Sequence, residues 1–278
     1  NEAVIGNVLK RWLDSGKIKR EDLFILTKLP PIGMRPEHVP HFIQLSLKNL
    51  QLDYLDLYLV HCPVGFQYVD AKQLFPMEGD TLSVDTKTDL EAIWGAMEAQ
   101  VEKGLARSIG ISNFCRSQIE RIMKVSKIQP ANHQIELHAY FQRPALMETC
   151  RKHNITVVAY APIGSPGRKQ YYEHRGLAFE PISILEDQEV LDIAKNHSKT
   201  PAQILMKFLV QQDIAVIPKS TNPERLLQNF DLFNFELTST EMERLKALDK
   251  GEAGRTFNAE LLGPAILNNP EGKNFFVD

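Results

Sequence analysis

Two ionisable residues follow short apolar runs in the first quarter of the chain. Leu55–Val60 and Leu23–Thr27 are short and rich in Leu, which is typical of strands buried on both faces in a parallel sheet. His61 follows the first run and Lys28 the second. The carboxyl ends of parallel strands meet at one edge, where α/β folds hold their reactive groups, so the pair predicts a chemical site there. The alternative is a core histidine and a lysine that reaches solvent.

Polar residues also follow other predicted strands. The additional strands are 108–111, 132–136, 156–160 and 214–217. Ser112-Asn113 follows the first of these, and taken alone it is typical of a strand-to-helix cap. Lys219 and Arg225 follow the last strand, and taken alone they are typical of a solvated basic patch.

Strands and helices alternate along the whole chain. The predicted helices are an opening helix that ends near Gly16 and the ranges 36–50, 88–104, 117–125, 143–153, 189–196, 200–211, 223–230 and 238–249. Alternation of this kind favours right-handed βαβ units and a parallel sheet. Six strands are predicted and a (β/α)₈ barrel has eight, so we expect one or two strands upstream of Asn1. A doubly wound sheet is the rival, but no Gly-x-Gly-x-x-Gly turn follows a predicted strand.

Composition narrows the class of protein. With 43% hydrophobic and 24% charged residues, the chain is typical of a soluble globular protein. The net charge of −3 gives no general attraction to nucleic acid or acidic membranes. The three cysteines are odd in number and widely spaced, which favours a reducing, cytoplasmic setting over a disulfide framework or a zinc motif.

Five motifs in order resemble the aldo-keto reductases, close to the aldose and aldehyde reductase branch. They are Thr27-Lys28-Leu29, Leu59-Val60-His61-Cys62-Pro63, Ile109-Gly110-Ile111-Ser112-Asn113-Phe114, His133-Gln134-Ile135-Glu136-Leu137-His138 and Ile217-Pro218-Lys219-Ser220, followed by Asn222-Pro223-Glu224-Arg225. The resemblance covers essentially the whole chain. It implies a single (β/α)₈-barrel domain over residues 1–278, incomplete at its N-terminus. It also implies NADPH as cofactor and the reduction of an aldehyde or ketone to an alcohol.

The resemblance assigns catalytic roles to Lys28 and His61. The family's site also holds an aspartate and a tyrosine, and both are expected upstream of Asn1-Glu2. The tyrosine gives a proton to the alkoxide, and an ordinary phenol with a pKa of about 10 is a poor donor at neutral pH. Lys28 would lower the pKa of that phenol, and His61 would donate a hydrogen bond to the carbonyl oxygen. Without the tyrosine, the chain as given is expected to be inactive.

The cofactor roles implied by the resemblance fall into three groups. Ser112, Asn113 and Gln134 would bind the nicotinamide carboxamide, and Tyr160 would stack on its ring. The loop after Tyr160, with Pro162, Ile163, Gly164 and Ser165, would cover the pyrophosphate. Lys219, Ser220 and Arg225 would bind the 2′-phosphate, and Asn229 with Gln228 would contact the adenine.

Three irregular stretches, 62–87, 161–184 and 251–278, match the variable loops that set substrate choice in the family. Phe66 and Tyr68 in the first are candidate pocket walls, or loop packing. Cys62 and Pro30 replace a bulky aromatic and a tryptophan of the commoner pattern, which predicts a wider substrate mouth. A buried, unreactive Cys62 is favoured over a reactive thiol. Ala161 and Ala139 replace a serine and a proline, with little expected effect.

Other functions stay open. One is a ketosteroid or other bulky-ketone reductase of the same family. Another is an inactive barrel that only binds NADPH, as potassium-channel β-subunits and some lens crystallins resemble this family. A metal-dependent hydrolase is disfavoured, because only His61 and Glu136 lie at strand ends. The expected partners are a small aldehyde or ketone, with no metal, nucleic acid or membrane, and a monomer is expected from the family.

Overall fold

The protein has a parallel α/β fold. The computed structural model describes residues 1–173, 183–257 and 263–274. The backbone clusters into two compact units, residues 1–133 with 262–278 and residues 134–261. Whether the chain acts as one domain, and whether strands precede Asn1, stay predictions.

The first unit alternates strands and helices from its start. Its elements are α1 (Glu2–Asp14), β1 (Leu26–Leu29), α2 (Val39–Leu50), β2 (Leu55–Val60), β3 (Met77–Glu78), β4 (Thr81–Leu82), α3 (Leu90–Glu102), β5 (Ala106–Ser112), α4 (Arg116–Val125) and the start of β6 (Asn132–Glu136). β1, β2 and β5 are parallel neighbours, with Lys28 opposite Leu59 and Tyr58 opposite Ile109. Their carboxyl ends therefore lie at one edge.

The second unit continues the same alternation. Its elements are the rest of β6, α5 (Pro144–Lys152), β7 (Thr156–Tyr160), α6 (Lys169–Glu173), α7 (Gln188–His197), α8 (Pro201–Val210), β8 (Ala215–Val216), α9 (Pro223–Phe230) and α10 (Ser239–Lys246). β6, β7 and β8 are neighbours in that order, and β7 and β8 are parallel.

The central strand β2 shows why the apolar runs become strands. All six of its residues are buried, as a strand packed on both faces requires. Asp56 interrupts the apolar run, and its carboxylate accepts a hydrogen bond from Arg20 at 2.7 Å and one from the backbone N–H of Ile25 at 2.8 Å. The one charge in the strand is therefore paired, as a buried charge must be.

Most predicted elements are confirmed, and the errors lie at element ends. β2, β6, β7 and α9 have the predicted bounds. The strand predicted over 23–27 begins only at Leu26, because Arg20–Asp22 form a 3₁₀ turn and the Phe24 side chain is 70% exposed. The strand predicted over 214–217 is only Ala215–Val216. Thr238 and Glu241 form a reciprocal cap at the start of α10, and Asp89 caps α3.

The irregular stretches hold more structure than predicted. Residues 62–87 contain the β3–β4 hairpin, whose turn uses Gly79 at a φ of +62°. Residues 161–184 contain the 3₁₀ turn Pro166–Arg168 and α6, and 251–278 contain three 3₁₀ turns. Parts of both stretches lie outside the described residues. In the described ranges no helix is long and apolar enough to cross a membrane.

Candidate active site

Lys28 and His61 lie side by side at the carboxyl edge of the first unit. Lys28 is the penultimate residue of β1, and His61 directly follows β2. The backbone N–H of His61 donates to the carbonyl oxygen of Leu29 at 3.2 Å, which continues the parallel pairing past the end of β2. The structure therefore brings together the two residues for which the sequence predicts catalysis.

The surroundings of this pair favour the uncharged imidazole. Removal from water, with a smaller contribution from the Lys28 charge, lowers the pKa of His61 to about 4. Burial also lowers the pKa of Lys28. In the described part of the chain Lys28 has no ion-pair partner. At neutral pH His61 is thus a neutral hydrogen-bond donor next to a partly buried lysine.

The turn after β5 is bonded to His61. Asn113 adopts a left-handed conformation with a φ of +63°. Its side-chain amide donates to the His61 carbonyl oxygen at 3.0 Å and to Ser112 Oγ at 3.1 Å. Ser112 and Asn113 therefore lie at the same strand edge as His61. A helix cap alone does not explain the hydrogen bond from the Asn113 side chain to His61.

His133 supports this turn and was missed as a functional candidate. It is fully buried, and its Nε2 accepts a hydrogen bond from the backbone N–H of Phe114 at 3.0 Å. An Nε2 that accepts a hydrogen bond carries no proton, so the proton of the neutral His133 ring lies on Nδ1. The sequence contains no local signal for this contact, because His133 and Phe114 lie on different elements.

Gln134 and Tyr160 belong to the second unit. Gln134 lies on β6 and is only 3% exposed. Tyr160 ends β7, and its ring meets the edge of Phe257 at 5.5 Å between centroids and an angle of 80°. A side-chain amide and an aromatic ring are the groups that a flat ligand with an amide would contact.

The loop after Tyr160 is tightly turned. Ala161 has a φ of +51°, Gly164 one of +72° and Ser165 one of +49°. The backbone N–H of Gly164 donates to the Ala161 carbonyl oxygen at 2.9 Å. Pro162 is buried and Ile163 half-buried. The contact of this loop with a pyrophosphate stays a prediction.

The predicted phosphate residues surround the start of α9. Asn222 Oδ1 accepts from the backbone N–H of Arg225 at 3.1 Å, and Ser220 Oγ accepts from that of Asn222 at 3.1 Å. Lys219 and Arg225 are exposed, and neither has an ion pair in the ranges that the structure describes. Gln228 is also exposed, and Asn229 is half-buried. Two unpaired cations beside a capped helix start suit an anion.

The residues predicted to line a substrate pocket are mostly packed. Burial raises the pKa of the Cys62 thiol to about 12, and its Sγ donates to the Val64 carbonyl oxygen at 3.3 Å. Cys62 is therefore a thiol, not a reactive thiolate. Phe66 is buried and meets Phe75 at 6.2 Å, whereas Tyr68 is 42% exposed. Pro30 is half-buried before the 3₁₀ turn Pro31–Gly33.

Glu136 is marked in the sequence only as an acidic residue at a strand end, and its contacts were not predicted. Its carboxylate is 1% exposed and accepts from His138 Nε2 at 3.3 Å and from the backbone of Thr256 at 2.6 Å. Burial alone would raise the pKa of Glu136, but His138 and Thr256 together hold it below its usual range. In the described ranges no group of three or more His, Cys, Asp or Glu residues is arranged to hold a metal.

Comparisons with known proteins show what the chain is similar to. The protein-family model described as "Aldo/keto reductase family" matches residues 1–250. The chain is 41% identical to "Aldo-keto reductase family 1 member A1" of Gallus gallus over 251 residues, which are 90% of this chain and 74% of that protein. It is 37% identical to "Dihydrodiol dehydrogenase 3" of Bos taurus over 273 residues, 98% of this chain and 80% of that protein.

A solved structure confirms the predicted fold class. The aldose reductase from Schistosoma japonicum matches with a TM-score of 0.83 and 40% identity, covering 94% of this chain and 80% of that one. The parallel strands and intervening helices are those of the (β/α)₈ barrel class.

Proposed function

Because the chain belongs to the aldo/keto reductase family of carbonyl oxidoreductases, we propose that it reduces an aldehyde or ketone to an alcohol with NADPH. The observation that carries the proposal is the Lys28–His61 pair at the edge of β1 and β2, tied to the turn after β5 by Asn113. A neutral donor and a cation at a strand edge suit a carbonyl oxygen that gains negative charge.

Each residue of this pair has a separate task. His61, with its lowered pKa, would donate a hydrogen bond to the carbonyl oxygen and fix its direction. Lys28 would stabilise the negative oxygen and lower the pKa of the tyrosine that the family resemblance places upstream of Asn1. The reduced nicotinamide, when bound, supplies the hydride.

The residues present fit NADPH. Gln134 offers a buried side-chain amide, which can both donate to and accept from the nicotinamide carboxamide. Ser112 and Asn113 would bind the same chemical group, and Tyr160 would stack on the ring. Lys219, Ser220 and Arg225 would hold the 2′-phosphate at the start of α9, which favours NADPH over NADH. Asn229 and Gln228 would contact the adenine.

The proposal is tested by the absorbance of reduced nicotinamide. Purified protein is mixed with NADPH and an aromatic aldehyde, with NADH in a parallel sample. Consumption of NADPH well above that of NADH is the expected result for protein that contains the upstream tyrosine. Neither turnover nor binding of NADPH would overturn the cofactor assignment.

A binding role without turnover is the second candidate. It is favoured by the described residues that would hold the coenzyme, the exposed Lys219 and Arg225 beside the Asn222 cap of α9. Tight binding of NADPH, followed by fluorescence, without consumption would support this role. A bulky ketone, including a ketosteroid, stays a candidate substrate, and a panel of aromatic, sugar and steroid carbonyls would separate these classes.

We also propose that the protein is a cytoplasmic monomer. Cys62, Cys115 and Cys150 are all buried free thiols, which suits a reducing compartment. Sedimentation of the purified protein would measure its oligomeric state, and a dimer would contradict the proposal.

A further inference from the structure

The residues Gly254–Phe257, here called the strap, are held by one buried carboxylate in the second unit. Both Glu136 and Thr256 are 1% exposed. Glu136 Oε1 accepts from the Thr256 backbone N–H at 2.6 Å and from the Thr256 hydroxyl, and Oε2 accepts from the Phe257 N–H at 3.1 Å. The carboxylate thus binds three donors from two successive residues of the strap.

Other contacts fix the strap from its remaining sides. The Thr256 carbonyl oxygen accepts from the Arg168 guanidinium and from Tyr172 Oη at 3.3 Å. A Cβ on Gly254 would lie 1.9 Å from the Tyr140 carbonyl oxygen, so the strap also passes directly over that backbone. The position of Phe257 is therefore set by hydrogen bonds rather than by its own packing alone.

Phe257 in turn meets Tyr160. The two rings are edge to face, with centroids 5.5 Å apart and an interplanar angle of 80°. This is the preferred geometry of an aromatic pair. A chain of contacts therefore runs from the Glu136 carboxylate through Phe257 to the Tyr160 ring.

We propose that Glu136 is a positioning residue that sets the orientation of the Tyr160 ring through Phe257, and thereby the affinity for the nicotinamide part of the coenzyme. The inference rests on the proposed function, in which Tyr160 stacks on the nicotinamide. Glu136 itself does not touch the reacting atoms in this scheme.

The first test uses Glu136→Gln and two ligands. The amide keeps the side-chain volume, but one of the two accepting oxygens becomes an NH₂, which cannot accept from the strap donors that this oxygen served. We expect the variant to bind NADPH about two- to tenfold more weakly, the range of one aromatic pair. Binding of 2′-phospho-ADP-ribose, which lacks the nicotinamide, should stay unchanged. Equal weakening of both ligands, or of neither, would overturn the inference.

Two further variants separate positioning from general damage. Phe257→Leu removes the ring and leaves the Glu136 hydrogen bonds, so it should reproduce the effect of Glu136→Gln. The double variant should bind NADPH no more weakly than Phe257→Leu alone, and additive effects would contradict the proposed route. Glu148→Gln is the matched control, because Glu148 is an exposed carboxylate of α5 in the same unit that pairs with Arg151 and not with the strap. It should change neither affinity.

A coenzyme-free measurement separates this inference from the proposed function. The Tyr160 ring resonances in NMR feel the ring current of Phe257, so Glu136→Gln and Phe257→Leu should both shift them in the unliganded protein. Unchanged Tyr160 shifts would overturn the inference even if NADPH binds normally. Shifted resonances in a protein that binds no NADPH would overturn the proposed function and retain the contact chain.

Discussion

Two pairs of basic residues, one in each compact unit, differ in their surroundings. Lys28 is half-buried and His61 keeps an exposed surface, and desolvation by the surrounding protein atoms lowers the pKa of both. Lys219 and Arg225 stand exposed at the start of α9, beside the cap that Asn222 provides. The difference matches two tasks: groups near a reacting bond need an adjusted charge, whereas groups that hold a phosphate need their full charge.

The largest expected effect is on the Lys28–His61 pair. His61→Leu keeps a side chain of similar size but removes the hydrogen bond to the carbonyl oxygen. In protein that turns over NADPH, kcat should fall by about a hundredfold or more. The rate of NADPH consumption measures this. The exposed His41, changed to Gln, is the control, and a His61→Leu rate within a few-fold of wild type would remove His61 from the chemistry.

The exposed pair should affect affinity and specificity instead. Replacing both Lys219 and Arg225 by Ala should weaken NADPH binding by about ten- to a hundredfold, because charge-assisted hydrogen bonds to phosphate are lost. NADH binding should not change. Fluorescence titration measures both constants, with the exposed Lys195 changed to Ala as control. Equal loss for both coenzymes would place the 2′-phosphate elsewhere.

The turn that joins His61 to Asn113 depends on His133. In His133→Leu the buried N–H of Phe114 loses its acceptor, so the free energy of unfolding should fall by about 1–3 kcal/mol. His133→Gln can still accept at a similar position and should lose less. Urea unfolding of the two variants makes the comparison, and equal losses would mean that volume rather than hydrogen bonding matters.

The smallest expected effect is on the pKa of His61, and it tests which cause lowers that pKa most. NMR titration should give a His61 pKa of about 4. Lys28→Met should raise that pKa, but not to the ordinary 6.5, because removal from water is the larger cause. Since the folded pKa lies below the unfolded one, His61 should weaken folding as pH falls from 6.5 toward 4. A full return to 6.5 in the variant would make Lys28 the main cause.

The sequence revealed most of the strands because their apolar runs are bounded by clear turn residues. β2, β6 and β7 were predicted with the observed ends for this reason. The predicted start of β1 was wrong, because Phe24 continues the apolar run but its side chain is exposed. The β3–β4 hairpin was missed because its strands are two residues each, too short for a period, although Gly79-Asp80 between them is a recognisable turn.

The residues of the candidate site also fall into a group that the sequence predicts and a group that it does not. Lys28, His61, Ser112 and Asn113 could be predicted because strand ends and motifs mark them. The Glu136–Thr256 and His133–Phe114 contacts could not, because residues far apart in sequence make them and neither local pattern nor composition encodes the pairing. Buried polar residues in a predicted strand, such as His133 and Glu136, are the only signal that sequence offers for them.

The close approach at Gly254 also restricts how the protein could be re-engineered. Any other residue there would place a Cβ 1.9 Å from the Tyr140 carbonyl oxygen, so the backbone would have to move. A library that grafts new C-terminal loops to change substrate preference should therefore keep residues 254–257 unchanged in identity and length. Substitutions after Phe257 would leave the aromatic contact with Tyr160 in place. Substitutions within residues 254–257 would disturb that contact and lower the affinity for the coenzyme.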